Sequence, residues 1–217
     1  GAEEAGRNMT LIEYGKDVLL IDVGLQFPEE DQPGVDYIIP NVSYLKGREQ
    51  DVKAVFITHG HYDHIGGIPH ISPMLHHPPI YGTKLTNGII MKRQEDFPDK
   101  GRIDLREIHP EQSIQVGVFN VEFFRVNHNI PDCVGIIVHT PEGTLVHTGD
   151  FKFDLMPIMD EVTDFAKIAN LGKQGVLALL SDSTNAPAPG HQISESVIGG
   201  TLDEIFRKAP GRIIVGT

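Results

Sequence analysis

Apolar residues in this chain form short runs bounded by glycine, proline and polar residues, and most of these runs predict β-strands. Residues 9–14 and 18–21 flank a Gly-Lys-Asp turn at residues 15–17 and predict a hairpin. The other predicted strands are residues 54–57, 80–81, 103–108, 118–126, 134–139, 144–147, 176–180 (expected to be buried) and 212–215. Tight turns, such as residues 140–143, predict that many of these strands form an antiparallel meander.

Helical patterns alternate with these strands. Thr83 precedes a predicted helix that ends at Gln94, and Ser194 opens a final helix to Lys208. Weaker patterns predict a short helix at residues 42–45, a helical turn interrupted by prolines within residues 64–75, and a helix at residues 163–171. A strand-rich sheet with flanking helices places the chain in the α/β class.

Composition sets looser bounds. A chain of 217 residues with 40% hydrophobic residues can bury a real core. No apolar run approaches the roughly 20 residues that span a bilayer, so we expect no membrane partner. The single cysteine, Cys133, is interpreted as a small buried hydrophobe, which fits a reducing cytosol and a cytoplasmic location.

The net charge of −12 argues at first against a nucleic-acid binder. Bound cations would offset metal-binding carboxylates, and basic residues could act locally. The candidates for such a local surface are Lys84, Lys92, Arg93, Lys100, Arg102 and Arg106. We favour a solvated face for these six residues, so charge alone does not identify the substrate.

The chemically richest segment follows the predicted strand 54–57, where residues 58–64 read Thr-His-Gly-His-Tyr-Asp-His. Imidazole and carboxylate groups suit zinc or manganese. In an extended segment His59 and His61 point the same way, and a turn can direct Asp63 and His64 to a second cation. Ligands divided between two cations indicate a binuclear hydrolase. A surface histidine-rich loop and a non-catalytic metal-binding segment are the alternatives.

Two further candidate ligands follow apolar runs: His128 closes the segment that contains residues 121–126, and Asp150 closes residues 145–149. The chain resembles the metallo-β-lactamase superfamily in this pattern: the spacing His-x-His-x-Asp-His, the following Ile-Gly-Gly-Ile-Pro at residues 65–69, and the later His and Asp. The sequence is similar, more specifically, to the ribonuclease J family, the bacterial branch of the β-CASP nucleases. The segments that carry this resemblance are residues 6–10, 128–132, 147–154, 181–186 and 201–206.

The resemblance implies a metallo-β-lactamase αββα sandwich and two divalent cations, zinc foremost, with manganese or magnesium as alternatives. The two expected ligand sets share a bridging carboxylate: His59, His61 and His128 on one cation, Asp63 and His64 on the other, and Asp150 between them. Such cations activate water near neutral pH and stabilise charge on phosphoryl oxygens. Asp63 and Asp150 are therefore also predicted catalytic residues.

Two more aspartates have roles that the family pattern implies. Asp22 would brace the metal-binding loop. Asp182, in the Ser-Asp-Ser-Thr motif, would orient a histidine that passes a proton to the leaving group. That histidine and a last histidine ligand would belong to sequence beyond Thr217, so we expect the second cation to bind more weakly than the first.

The Pro/Gly-rich segment 186–190 predicts a domain boundary. We expect residues 1–190 to form the metallo-β-lactamase core and residues 191–217 to begin a β-CASP insertion that is truncated at the C-terminus. The longer protein is expected to be a homo-oligomer.

The leading functional hypothesis is a metal-dependent ribonuclease, with 5′-to-3′ exonuclease and endonuclease activity on RNA in its decay and maturation. The alternative is a small-molecule hydrolase of the same fold, of the β-lactamase or thioesterase type, which the acidic charge favours. A third possibility is a non-catalytic scaffold in an RNA-decay complex. The six predicted ligands argue against that role for the parent protein, although this chain alone could be inactive.

Overall fold

Two mixed β-sheets form the centre of the computed structural model, which describes residues 6–216. Residues 1–5 and Thr217, which the predicted domains include, lie outside the described residues. The strands are β1 (Thr10–Tyr14), β2 (Asp17–Ile21), β3 (Val52–Phe56), β4 (Ile80–Gly82), β5 (Leu105–Glu107), β6 (Ser113–Val116), β7 (Phe119–Arg125), β8 (Val134–Thr140), β9 (Gly143–His147) and β10 (Ala178–Leu180).

Helices lie between and after these strands. They are α1 (Tyr62–Ile65), α2 (Ile68–Met74), α3 (Lys84–Gln94), α4 (Phe165–Gln174) and α5 (Ile198–Lys208). Short 3₁₀ turns occur at Ser43–Leu45, Glu49–Asp51, Pro98–Lys100 and Glu195–Val197. Among the described residues, no helix has both the length and the apolar character needed to cross a bilayer.

The strand directions bring several strand ends to shared sheet edges. The first sheet has the order β1-β2-β3-β4-β5, with β1 antiparallel to β2 and the other pairs parallel. The second has the order β10-β9-β8-β7-β6, in which β6 to β9 form the predicted antiparallel meander and β10 runs parallel to β9. Hence the carboxyl ends of β2 and β3 lie together, as do those of β9 and β10.

Side-chain burial confirms the four-layer αββα arrangement. On β2, Leu19 and Ile21 pack between the two sheets, while Val18 and Leu20 pack towards α2 and α3. Both faces of β2 are therefore covered, which explains its continuous apolar sequence. On the outer face of the second sheet, a third cluster packs against Leu171 of α4.

The structure corrects four details of the sequence-based prediction. Strand β6 was not predicted. Pro69 lies in the first turn of α2, where proline is tolerated, and Pro73 lies inside the same helix, so neither residue interrupts it. The predicted buried strand 176–180 shortens to β10, where Leu179 is 64% exposed. Residues 212–216 form no strand, and Ile214 is 87% exposed.

Candidate metal centre

The segments after β2, β3, β7 and β9 converge at one end of the sandwich. The loop after β3 is tied to both sheets, because the Asp22 N–H donates to the Phe56 carbonyl (2.9 Å) and the Val134 N–H donates to the Thr58 carbonyl (3.0 Å). Gly149, after β9, has φ +60° and lies so close to Thr58 that a Cβ atom there would be 2.9 Å from the threonine Cβ. This close approach brings the residue after Gly149 to the histidine loop.

Three of the predicted ligands form a compact imidazole cluster. Nε2 of His59 lies 3.0 Å from Nδ1 of His61. The His128 ring centroid lies 5.0 Å from that of His59 and 4.9 Å from that of His61. Burial lowers the pKa of all three rings. The rings are therefore neutral near pH 7, so that each keeps a nitrogen lone pair available to a cation.

His64 lies among carboxylates on the other side of the cluster. Its Nε2 lies 3.4 Å from Oδ2 of Asp63 and 3.4 Å from Oδ1 of Asp150. The other Asp150 oxygen, Oδ2, lies 3.7 Å from Nε2 of His128. The Asp150 carboxylate thus spans the space between the two sets of ligands, as a bridging carboxylate must.

The carboxylates have a marked effect on protonation. Burial lowers the pKa of His64, but the charge of Asp22 and hydrogen bonds to Asp150, Asp22 and Asp63 outweigh it and raise the pKa to about 12. Burial raises the pKa of Asp63 and Asp150, yet the hydrogen bond and charge of His64 lower both pKa values below the usual range for aspartate. A positive charge therefore balances these carboxylates, a role that a divalent cation suits.

Asp22 and Thr58 stabilise the loop after β3 that carries the histidines. The Asp22 carboxylate accepts hydrogen bonds from the Thr58 N–H (2.8 Å), the Thr58 hydroxyl (2.9 Å) and Nδ1 of His64 (2.8 Å). The bond to Nδ1 directs Nε2 of His64 into the site, as carboxylates do for metal-binding histidines. This arrangement agrees with the role expected for Asp22, which has φ +61°.

The donor set fits a divalent metal. His59, His61 and His128 offer ligand atoms within 4.8 Å of one another, and so do His59, His64 and Asp150. Neutral imidazoles, nearby carboxylates and a bracing carboxylate behind one ring are the usual components of zinc and related sites. Asp63 adds a carboxylate at the edge of the second group.

Asp182 lies at the same end of the molecule, after β10. Its N–H donates to the hydroxyl of Thr148 (3.0 Å), and its Oδ1 accepts from the Thr184 N–H (2.8 Å). Burial lowers the pKa of His128, and the negative charge of Asp182 opposes part of that lowering. Asp182 is thus near the metal centre.

Other polar groups near the centre have structural partners. His147 accepts from the Gly149 N–H through Nδ1 (3.1 Å), and its Nε2 lies 3.4 Å from the hydroxyl of Thr10. His139 pairs with Glu122 (3.0 Å). Asn127 is buried and its carboxamide oxygen accepts from the N–H of Thr163 (3.1 Å).

Sequence reasoning missed two residues at this site. Thr58 links Asp22 to the histidine loop, and Asn8 places its side-chain nitrogen 3.2 Å from Asp63 and 3.1 Å from His64. Thr58 directly precedes the histidine motif, and this position could have identified it as part of the site. Asn8 is 55 residues from Asp63, so only the resemblance of residues 6–10 pointed to it.

Comparisons with known proteins identify the family of this chain. Residues 32–170 match the β-lactamase superfamily domain. A ribonuclease J of Thermus thermophilus is 45% identical over 223 residues, covering 100% of this chain and 39% of that protein. Ribonuclease J2 of Bacillus subtilis is 41% identical over 215 residues, which cover 99% of this chain and 39% of that protein. A Mycobacterium tuberculosis ribonuclease J is 43% identical over 217 residues, which cover 99% of this chain and 38% of that protein.

The chain therefore spans about two fifths of the length of these relatives. Solved structures support the fold alone. A protein of unknown function from Enterococcus faecalis has a TM-score of 0.65 at 20% identity, covering 97% of this chain and 56% of that one. Zn²⁺-bound PqqB from Methylobacterium extorquens has a TM-score of 0.52 at 14% identity, covering 79% and 58%. The chain belongs to the β-lactamase superfamily, has the metallo-β-lactamase fold, and is homologous over its whole length to ribonuclease J proteins.

Proposed function

We propose that this chain provides the metal centre of a ribonuclease that hydrolyses RNA phosphodiesters with two divalent cations. The observation that carries the proposal is the Asp150 carboxylate, which directs one oxygen to His64 (3.4 Å) and the other to His128 (3.7 Å). A single carboxylate between two ligand sets can hold two cations side by side, as a two-cation hydrolase uses them.

The proposed ligands divide between two positions. They are His59, His61 and His128 for the first cation, Asp63 and His64 for the second, and Asp150 for both. When bound, the cations supply an activated water and stabilise negative charge on the phosphoryl oxygens. Zinc suits the three-imidazole position best, with manganese or magnesium as alternatives.

The chain's own residues prepare the site for this chemistry. Burial lowers the pKa values of the three imidazoles, which keeps them neutral and able to bind a cation. Asp22 fixes the ring of His64 through Nδ1. Asp182, at the same end of the sandwich, is proposed to orient the group that donates a proton to the leaving oxygen.

RNA is proposed as the substrate because of the ribonuclease J relatives and not because of charge. Four of the six basic residues considered above lie beside carboxylates: Lys92 with Glu95, Arg93 with Asp96, Lys100 with Asp99, and Arg106 with Asp104. Those pairs fit the expected solvated face. The 5′-to-3′ exonuclease and endonuclease modes, the cytoplasmic location and a homo-oligomer belong to the same proposal.

A direct test compares two substrates. The 217-residue chain, and beside it any longer polypeptide that its gene encodes, is incubated with 5′-monophosphorylated RNA and with a chromogenic lactam. The proposal predicts metal-dependent RNA cleavage that a chelator stops, with negligible lactam turnover. Lactam hydrolysis without RNA cleavage would instead support the small-molecule hydrolase alternative.

A further inference from the structure

Asn8 is fixed beside the second cation position by its backbone. Its N–H donates to the carbonyl of Asp63 (3.0 Å), and its own carbonyl accepts from the Gly24 N–H (2.9 Å). These bonds join the segment before β1 to the segment after β2 and to the first turn of α1. The side chain of Asn8 is therefore held at the cation site independently of what its amide contacts.

The amide nitrogen of Asn8 forms a triangle with the metal-binding atoms of Asp63 and His64, two proposed ligands. Its Nδ2 lies 3.2 Å from Oδ2 of Asp63 and 3.1 Å from Nε2 of His64. The third side of the triangle, from His64 Nε2 to Asp63 Oδ2, is 3.4 Å. Ligand atoms about 2.0–2.2 Å from one cation are separated by roughly 2.8–3.6 Å, the range from octahedral to tetrahedral geometry. The three atoms thus have the spacing of ligands around a single cation.

We propose that Asn8 is a further ligand of the second cation, through its side-chain oxygen. An amide nitrogen has no lone pair to offer, whereas the amide oxygen is a neutral metal ligand. A half-turn about the last side-chain bond exchanges the two atoms, which places Oδ1 where Nδ2 now lies. With Oδ1 of Asp150, 3.4 Å from His64 Nε2, the second position then has four protein donors.

This inference rests on the two-cation site of the proposed function but not on RNA as the substrate. The competing reading is that Asn8 only donates a hydrogen bond to Asp63 and so orients it. The two readings differ for Asn8→Asp: a carboxylate can replace the amide oxygen as a ligand, but it cannot donate to Asp63 and would repel it.

The test is a Zn²⁺ titration of metal-free protein against a chromogenic chelator, which resolves two binding steps. Asn8→Ala should weaken the second step by about tenfold or more and leave the first within about twofold. Asn8→Asp should keep or strengthen the second step. Asn129→Ala, the same substitution at an exposed position beside His128, is the matched control and should change neither step.

An Asn8→Ala variant that binds the second Zn²⁺ as tightly as the parent would overturn the inference, and so would an Asn8→Asp variant as weak as Asn8→Ala. Urea unfolding of each metal-free variant checks the fold; should Asn8→Ala not fold, Asn8→Asp alone decides. Absence of the first step in the parent would contradict the proposed function instead, because that step does not involve Asn8.

Discussion

Single residues determine the geometry of the candidate metal centre, and several were predictable from sequence. The histidine motif, His128 and Asp150 were identified because their residue types and positions after apolar runs are distinctive. Thr58 and Asn8 were not, because threonine and asparagine are common and their contacts with Asp22 and Asp63 span 36 and 55 residues. Such long-range hydrogen bonds leave no local pattern in a sequence.

Replacing Asp22 by asparagine should weaken metal binding without unfolding the chain. Asparagine tolerates the φ of +61° at this position, but its amide nitrogen cannot accept the bonds that the carboxylate takes from Thr58 and His64. We expect affinity for the second Zn²⁺ to fall about 10–100-fold, measured by competition with a chelator. Asp36→Asn, which removes an equal charge at an exposed site, is the control. Equal affinities in the two variants would contradict the bracing role.

Replacing Asp150 by alanine should abolish hydrolysis while leaving the fold intact. The change removes the one carboxylate that faces both His64 and His128. Initial rates of RNA cleavage and a circular dichroism melt measure the two effects, with Asp99→Ala, at an exposed ion pair with Lys100, as the control. A variant that keeps a tenth or more of the parent rate would show that the two-cation mechanism is wrong.

Secondary-structure elements differed in how well the sequence predicted them. β2 and β3 are covered on both faces, so their apolar runs were clear. β6 was missed because its Ser-Ile-Gln-Val sequence is short and has only two apolar residues. Residues 213–215 are apolar but form no strand, since no described strand pairs with them. An apolar run forms a strand only where a neighbouring strand is available to pair with it, which the local sequence pattern does not show.

The contact between the segment after β2 and helix α1 should be sensitive to a single methyl group. A Cβ atom on Gly24 would lie 1.6 Å from the carbonyl oxygen of Asp63, whereas one on exposed Gly88 in α3 would meet nothing within 4 Å. We expect Gly24→Ala to lower the free energy of unfolding by about 1–3 kcal/mol. It should also weaken binding of the second cation, because Asp63 must move.

Gly88→Ala serves as the comparison, since alanine is the better helix former. It should raise the free energy of unfolding by up to about 1 kcal/mol. Urea denaturation of metal-free protein measures both changes. A neutral Gly24→Ala variant with unchanged Zn²⁺ affinity would show that this contact does not position the ligand loop.

At the scale of the whole molecule, the segment after residue 190 attaches to the sandwich through polar contacts. Asp154 accepts hydrogen bonds from the Met156 N–H (2.9 Å) and the Glu195 N–H (2.9 Å), and Lys152 forms an ion pair with Glu195. Helix α5, which follows, leaves Ile205 and Phe206 about half exposed, at 53% and 46%. The predicted boundary at residues 186–190 remains a prediction.

Acid should loosen this attachment. A hydrogen bond from Ser194 and backbone bonds from Glu195 and Met156 lower the pKa of Asp154. Because the folded-state pKa is lowered, the stabilisation is complete above the ordinary aspartate pKa of about 3.9 and is lost as pH falls below it. Hydrogen exchange at the Glu195 amide, corrected for its intrinsic rate, should be slower in the parent than in Asp154→Asn at pH 7. As the pH falls through the lowered folded-state pKa of Asp154 the difference should shrink; no difference at pH 7 would contradict the anchoring role.

Two cations are expected to bind at this end of the sandwich with the Asp150 carboxylate between them. Anomalous diffraction from crystals grown with excess Zn²⁺ would locate them. Two anomalous peaks about 3.5–4 Å apart are expected. One should lie among His59, His61 and His128 and survive dialysis, and the other should lie beside Asp63 and His64 with lower occupancy. A single peak, or two peaks that do not share Asp150, would contradict this arrangement.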